Sequence, residues 1–178
     1  MTNNEQNRIG RYAIFLTFAL LALIFANQMF AWLPALPDQV AMHFSSTGDA
    51  NGWSSKSGFA ITAGIELAVA IVLFIFASLL KHLPIWLINI PNKSYWLSPE
   101  HAEATRGYLV DWVRWLLLIT LAYLVVLNTD TISANFVRPR PTPYSIWPTV
   151  TFVVLLAAFV IGLLLHFRKR GPRSKNVG

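Results

Sequence analysis

His43, Ser45, Ser46, Asp49 and Lys56 crowd into one polar stretch, VAMHFSSTGDANGWSSK at residues 40–56, with Asp38 just before it. A histidine beside carboxylates could hold a metal, and a serine with histidine and aspartate could form a nucleophile. Neither chemistry has its usual spacing here. The stretch holds a single histidine, and the chain has no HExxH pair, no GxSxG elbow and no glycine-rich phosphate loop followed by Lys-Ser. With no cysteine, thiolate metal sites, iron–sulfur clusters, disulfides and thiol nucleophiles are excluded too. No catalytic, metal or cofactor-binding residue is assigned, and the expectation is a non-enzymatic protein. The stretch reads instead as a compact cap. Residues 40–44 can extend as a short strand, residues 48–52 supply a turn, and Trp53 suits a membrane interface.

The elements that must position this stretch are membrane-like. Hydrophobic residues make up 55% of the 178 and charged residues only 12%, against roughly 25% charged in an ordinary soluble domain. Four apolar runs, about 12–33, 58–80, 108–127 and 147–167, are each near the roughly 20 residues a helix needs to cross the hydrocarbon core. The first run is longer than a signal-peptide core, and Trp32-Leu33-Pro34 is a poor cleavage site, so it is expected to stay as a helix. Pro34, Pro37, Pro84, Pro91, Pro139, Pro141 and Pro143 all fall between the runs, where a residue without an N–H does no harm. The expected fold is an all-α integral membrane protein, one domain over residues 1–178, with four transmembrane helices and a short structured loop at 34–57.

The basic residues orient it. With both termini cytoplasmic, the inner side holds Arg8, Arg11, Lys81, Lys93, Arg106, Arg114 and the basic tail 168–178, while Lys56, Arg138 and Arg140 lie outside. That is the positive-inside pattern, and it puts loop 34–57 outside and loop 81–107 inside. It also accounts for the net charge of +6 without nucleic acid as a partner. The four apolar runs imply a protein that crosses its membrane several times.

Glu66 is the one acidic residue well inside an expected span, about 12 Å from its outer edge. An acid there costs roughly 2.5–3.5 kcal/mol, so it is expected to face the bundle and be hydrogen-bonded, an intramembrane polar clamp. At matching depth the other spans offer Asn27, Gln28, Thr120, Tyr123, Thr149 and Thr151, and no cation. A proton or ion relay is the functional alternative, but none of the four histidines lies at mid-depth.

In the inner loop, residues 83–90 are apolar but too short to span and suit the headgroup level with Trp86, Tyr95 and Trp96. Ser98-Pro99-Glu100 reads as a helix start running into the third span, with Ser98 as cap. Arg114, near Asp111 at helical spacing, reads as an anchor.

LPDQVAMHFSSTGDANGWSSK resembles the signature of a bacterial membrane-protein domain of unknown function that also begins SdpI-type bacteriocin immunity proteins. The matching positions are Leu36 and Pro37, Met42, His43 and Phe44, Gly48, Gly52 and Trp53, and Lys56. NIPNKSYWLSPE, with Pro91, Asn92, Tyr95, Trp96 and Pro99, is similar to the inner-loop segment of single-domain relatives. The chain departs from similar sequences in having Ala41 in place of a proline and Asn51 in place of an aspartate. The resemblance implies a multi-span inner-membrane protein that protects against, or senses, a membrane-active peptide. Pro37, His43, Phe44, Gly48, Gly52, Trp53 and Lys56 would be its recognition residues. The expected partners are the lipid bilayer and a peptide toxin, or other membrane-protein subunits if the chain is an accessory part of a larger complex, with a homo-oligomer open. A small transporter using Glu66 is the third reading.

Overall fold

The computed structural model describes residues 3–136 and 145–168. Five helices and one hairpin make up the fold: α1 Asn3–Trp32, β1 Gln39–Phe44, β2 Ala50–Ser55, α2 Lys56–Phe76, the short α3 Lys93–Trp96, α4 Ala102–Phe136 and α5 Trp147–Arg168. Turns of 3-10 helix at Leu33–Ala35, Ala77–His82 and Ile85–Leu87 join them. Helical segments at Arg8–Ala35, Lys56–His82, Ala102–Phe136 and Trp147–Arg168 are long and apolar enough to cross a membrane, as in a multi-pass membrane protein. The expected basic tail beyond Arg168, and Arg138 and Arg140, lie outside the described residues.

The all-α expectation needs one correction, because the first loop is a two-stranded antiparallel sheet. Strands β1 and β2 pair Val40 with Ser54, Ala41 with Trp53 and His43 with Gly52, with irregular register on either side of His43. The turn between them comes earlier than expected: Ala50, Asn51 and Gly52 belong to the strand, and residues 45–49 make the reversal. Ser45 N–H donates to the Asp49 carbonyl at 2.8 Å and Gly48 N–H to the Ser45 carbonyl at 2.9 Å. Gly48 sits at φ 88°, where a side chain would be strained. The Thr47 hydroxyl donates to the Asp49 carboxylate at 2.7 Å, and the Asp49 N–H reaches the Ser45 hydroxyl at 3.2 Å. These hydroxyls and this carboxylate are engaged in closing the turn.

α4 exceeds its expected span at both ends, running 35 residues or about 50 Å. It is the spine of the bundle, packing against α1, α2, α5 and the hairpin. Midway along, Ile14 and Phe18 of α1, Ala70 and Phe74 of α2, and Leu118 and Leu121 of α4 form one core. Phe18 and Phe74 stack with ring centroids 3.9 Å apart. A second core, Leu36, Val40, Phe59 and Ile132, seats the hairpin on the end of the bundle.

At the opposite end, the NIPNKSYW segment closes the C-terminus of α5. A helix end leaves carbonyls without intrahelical donors. Here the Asn92 amide donates to the carbonyls of Phe167 and Arg168 at 3.1 and 3.0 Å, and the Trp96 indole N–H to that of Phe167 at 2.9 Å. Asn92 takes a left-handed backbone, φ 53°, to do so. Trp96 and Tyr108 both stack on His166, and Tyr95 lies against His101. Pro91 and Pro99 flank this block in turns. Ser98 does not cap α4 with its side chain. Its hydroxyl bonds His101 Nδ1 at 2.9 Å, and its carbonyl accepts from the N–H of Ala102.

Candidate functional site

The hairpin is tied down where its sequence says least. Ala41, fully buried, gives its N–H to Asn135 Oδ1 at 2.8 Å and accepts from Asn135 Nδ2 at 3.0 Å. One carboxamide near the end of α4 thus satisfies both backbone groups of a strand residue that its partner strand leaves free. At the strand–helix junction, Lys56 N–H donates to the Asp38 carbonyl at 2.9 Å and its ammonium to the Pro34 carbonyl at 3.1 Å. Ser55 caps α2 by accepting from Gly58 N–H at 3.0 Å. Lys56 is therefore a strap between the entry and exit of the hairpin. Pro37 is half-buried just ahead of β1.

Held this way, the hairpin roofs a cavity of about 650 Å³. Met42, His43, Phe44, Trp53 and Ser54 form the roof, Phe59, Thr62, Ala63 and Glu66 of α2 one wall, and Leu127, Asn128 and Thr131 of α4 the other. Four of the resemblance residues, Met42, His43, Phe44 and Trp53, converge on this space. Gly52 serves it indirectly. A Cβ there would come within 2.8 Å of His43 Cβ, so only glycine lets the imidazole fold across β2. Gly48, Pro37 and Lys56 shape the hairpin and do not line the cavity.

Glu66 forms part of the cavity wall. The depth-matched partners expected for it are engaged elsewhere or at a distance: Gln28 Nε2 donates to Thr129 Oγ1 at 2.6 Å, Asn128 Nδ2 to Gln28 Oε1 at 2.9 Å, and Tyr123 bonds Thr149 at 3.0 Å. Glu66 has no hydrogen bond or ion pair among the described residues. Beside the cavity, Gln28–Asn128 ties α1 to α4, and Asn135 ties α4 to the hairpin. Asn128, Thr131 and Asn135 lie at helical spacing on one face of α4 and are buried. That spacing was the available signal, hidden by ending the third span at residue 127. Asp130 joins the helix for the same reason.

Chemically, the site offers a carboxyl group and the Asn128 Oδ1 acceptor, three hydroxyls and a set of aromatic faces, with one imidazole at the rim. No group of three or more His, Cys, Asp or Glu side chains suited to a metal is present among the described residues. A carboxylate with aromatic faces around it is an arrangement for receiving a cation. Asn92, Tyr95 and Trp96 lie at the other end of the bundle, remote from this cavity, where Asn92 and Trp96 bond the last carbonyls of α5 and Tyr95 packs on Trp96 and His101.

Residues 13–67 match the family described as a domain of unknown function (DUF1648). The match spans most of α1, the hairpin and α2 through Leu67, so it covers the roof and one wall of the cavity and stops short of α4. No curated protein and no solved structure matches the chain.

Proposed function

We propose that the chain is a non-enzymatic receptor in a bacterial inner membrane that captures a membrane-active peptide at its hairpin-capped cavity, as an immunity or sensing protein would. The supporting observation is the convergence of His43, Phe44 and Trp53 with Glu66, which has no partner among the described residues, on one space of about 650 Å³, a volume usual for ligand sites. The excess of basic residues away from the hairpin supports an outward cavity, open to the side from which a secreted peptide arrives. A lysine side chain or terminal amine of the peptide enters and pairs with Glu66, while apolar residues lie against Phe44, Phe59 and Trp53.

The test is binding of a cationic amphipathic helical peptide to protein in nanodiscs, against the same peptide with lysines replaced by glutamine. A charge-assisted hydrogen bond contributes roughly 1.5–3 kcal/mol, so removing the peptide's cation or making Glu66→Gln weakens binding about 10- to 100-fold. Equal affinity for both peptides overturns the reading.

One observation favours a second reading, an accessory subunit of a larger membrane complex. α5 rests on α4 and leaves Trp147, Val153, Val154, Ile161 and Leu165 exposed. Lipid or another chain covers that face. Purification in mild detergent separates the two, since a stoichiometric large partner favours the subunit.

A further inference from the structure

The end of the bundle away from the hairpin holds a different kind of site. Where α1, the Ala77–His82 turn and α4 meet, a cleft of about 170 Å³ is lined by Arg11, Ser78, Lys81, Gly107, Asp111 and Arg114. It adjoins an apolar groove of about 320 Å³ floored by Tyr12, Phe15 and Phe74, and Arg11 and Arg114 line both spaces.

The cleft's charges do not balance. Three cations line it against one carboxylate, and Asp111 meets Arg11 Nε and Arg114 Nη1 only at 3.6 and 3.7 Å, beyond good hydrogen-bond length. Arg114 Nη2 donates to Ser78 Oγ at 2.7 Å, but Arg114 Nε is buried with no acceptor among the described residues. Buried donors almost always find a partner, so the orphaned Arg114 Nε beside an unbalanced group of cations points to an acceptor at this cleft. The missing group must carry negative charge and several oxygens. Gly107 keeps room for it, since a Cβ there would meet nothing closer than Arg11 Nη2 at 4.0 Å.

We propose that this cleft binds the phosphate of an anionic phospholipid, with Arg11, Lys81 and Arg114 around the headgroup and an acyl chain lying in the groove of Tyr12, Phe15 and Phe74. Arginine presents paired N–H groups that match phosphate oxygens, and basic pockets between membrane helices are suited to such headgroups. The groove decides between lipid and free phosphate, because an inorganic ion has no use for an aromatic channel opening from its site. The bound lipid joins α1 to α4 at the end where no hairpin does so.

The experiment is native mass spectrometry of the detergent-purified full chain with phosphatidylglycerol, with phosphatidylcholine of the same acyl chains, and with inorganic phosphate as competitor. Retention of phosphatidylglycerol over phosphatidylcholine is expected. Arg11→Gln and Lys81→Gln each lower that retention about fivefold, and the double variant by roughly 25-fold. Arg11 is more than half exposed, so its variant leaves the core intact, and a circular dichroism spectrum checks the fold of both. Arg8→Gln, one turn away and outside the cleft, keeps wild-type retention. Equal retention of the two lipids overturns the proposal, as does a loss with Arg8→Gln equal to that with Arg11→Gln. Displacement of the lipid by millimolar phosphate overturns it in favour of a free anion.

Discussion

Replacing Asn135 with alanine detaches the hairpin from α4. Three hydrogen bonds end at this side chain: from Ala41 N–H at 2.8 Å, and to the carbonyls of Ala41 at 3.0 Å and Thr131 at 2.8 Å. The Thr131 carbonyl lies one helical turn back and keeps its place in the α4 ladder, so its loss is minor. Ala41 is fully buried, and both of its backbone groups are orphaned. Each unsatisfied buried group costs about 1–3 kcal/mol, so Asn135→Ala, which orphans two, destabilises hairpin docking by roughly 2–6 kcal/mol. Asn135→Asp keeps the acceptor for Ala41 N–H and loses the donor, and falls between the two. The assay is hydrogen exchange in nanodiscs, read separately over residues 39–55 and over the middle of α1 and α4. Faster exchange in the hairpin with an unchanged helical core is expected, because the Phe18–Phe74 core does not touch Asn135. Unchanged hairpin protection in Asn135→Ala would show that the docking rests on Leu36, Val40, Phe59 and Ile132 alone, and the reasoning would be refuted.

Gly52→Ala forces a Cβ to within 2.8–3.1 Å of three His43 atoms and pushes the imidazole off β2. Its expected result is weakened peptide binding with the helical circular dichroism spectrum retained. Asn92→Ala combined with Trp96→Phe strips three donors from the last carbonyls of α5. At about 1 kcal/mol per hydrogen bond, exchange at the C-terminal turn of α5 rises markedly while the hairpin is untouched. Lys56→Met removes the ammonium bond to Pro34 but leaves the backbone N–H bond to Asp38, so it loosens the hairpin less than Asn135→Ala does; limited proteolysis at residues 45–49 ranks the two.

What was legible in the sequence follows from what each pattern depends on. The four apolar helices are set by runs of side chains and the length needed to span a membrane, and both are local. The hairpin is visible as a strand and a turn, but not its closing register, because Ala50 and Gly52 have turn-like composition yet pair with β1. The cavity was legible only as separate members. His43 and Trp53 were grouped by resemblance and Glu66 by depth, while Asn128 and Thr131 lay past the expected end of the third span. Depth in a membrane limits which residues share a layer, but not which way each helix turns its face. For that reason Glu66 was matched with Gln28 and Tyr123, which instead bond Asn128, Thr129 and Thr149. The NIPNKSYW motif is the opposite case. Its residues stood out, and their task, capping α5, depends on contacts more than 70 positions away in the chain.

The central claim is that the Glu66 cavity captures a membrane-active peptide. It is tested most directly by challenging cells lacking the gene with a panel of cationic membrane-active peptides, after complementation with wild type, Glu66→Gln or Trp53→Ala at matched membrane levels. The account predicts that wild type restores resistance to at least one peptide and that both variants fail to. Unchanged sensitivity in the deletion, or full rescue by Glu66→Gln, would contradict it.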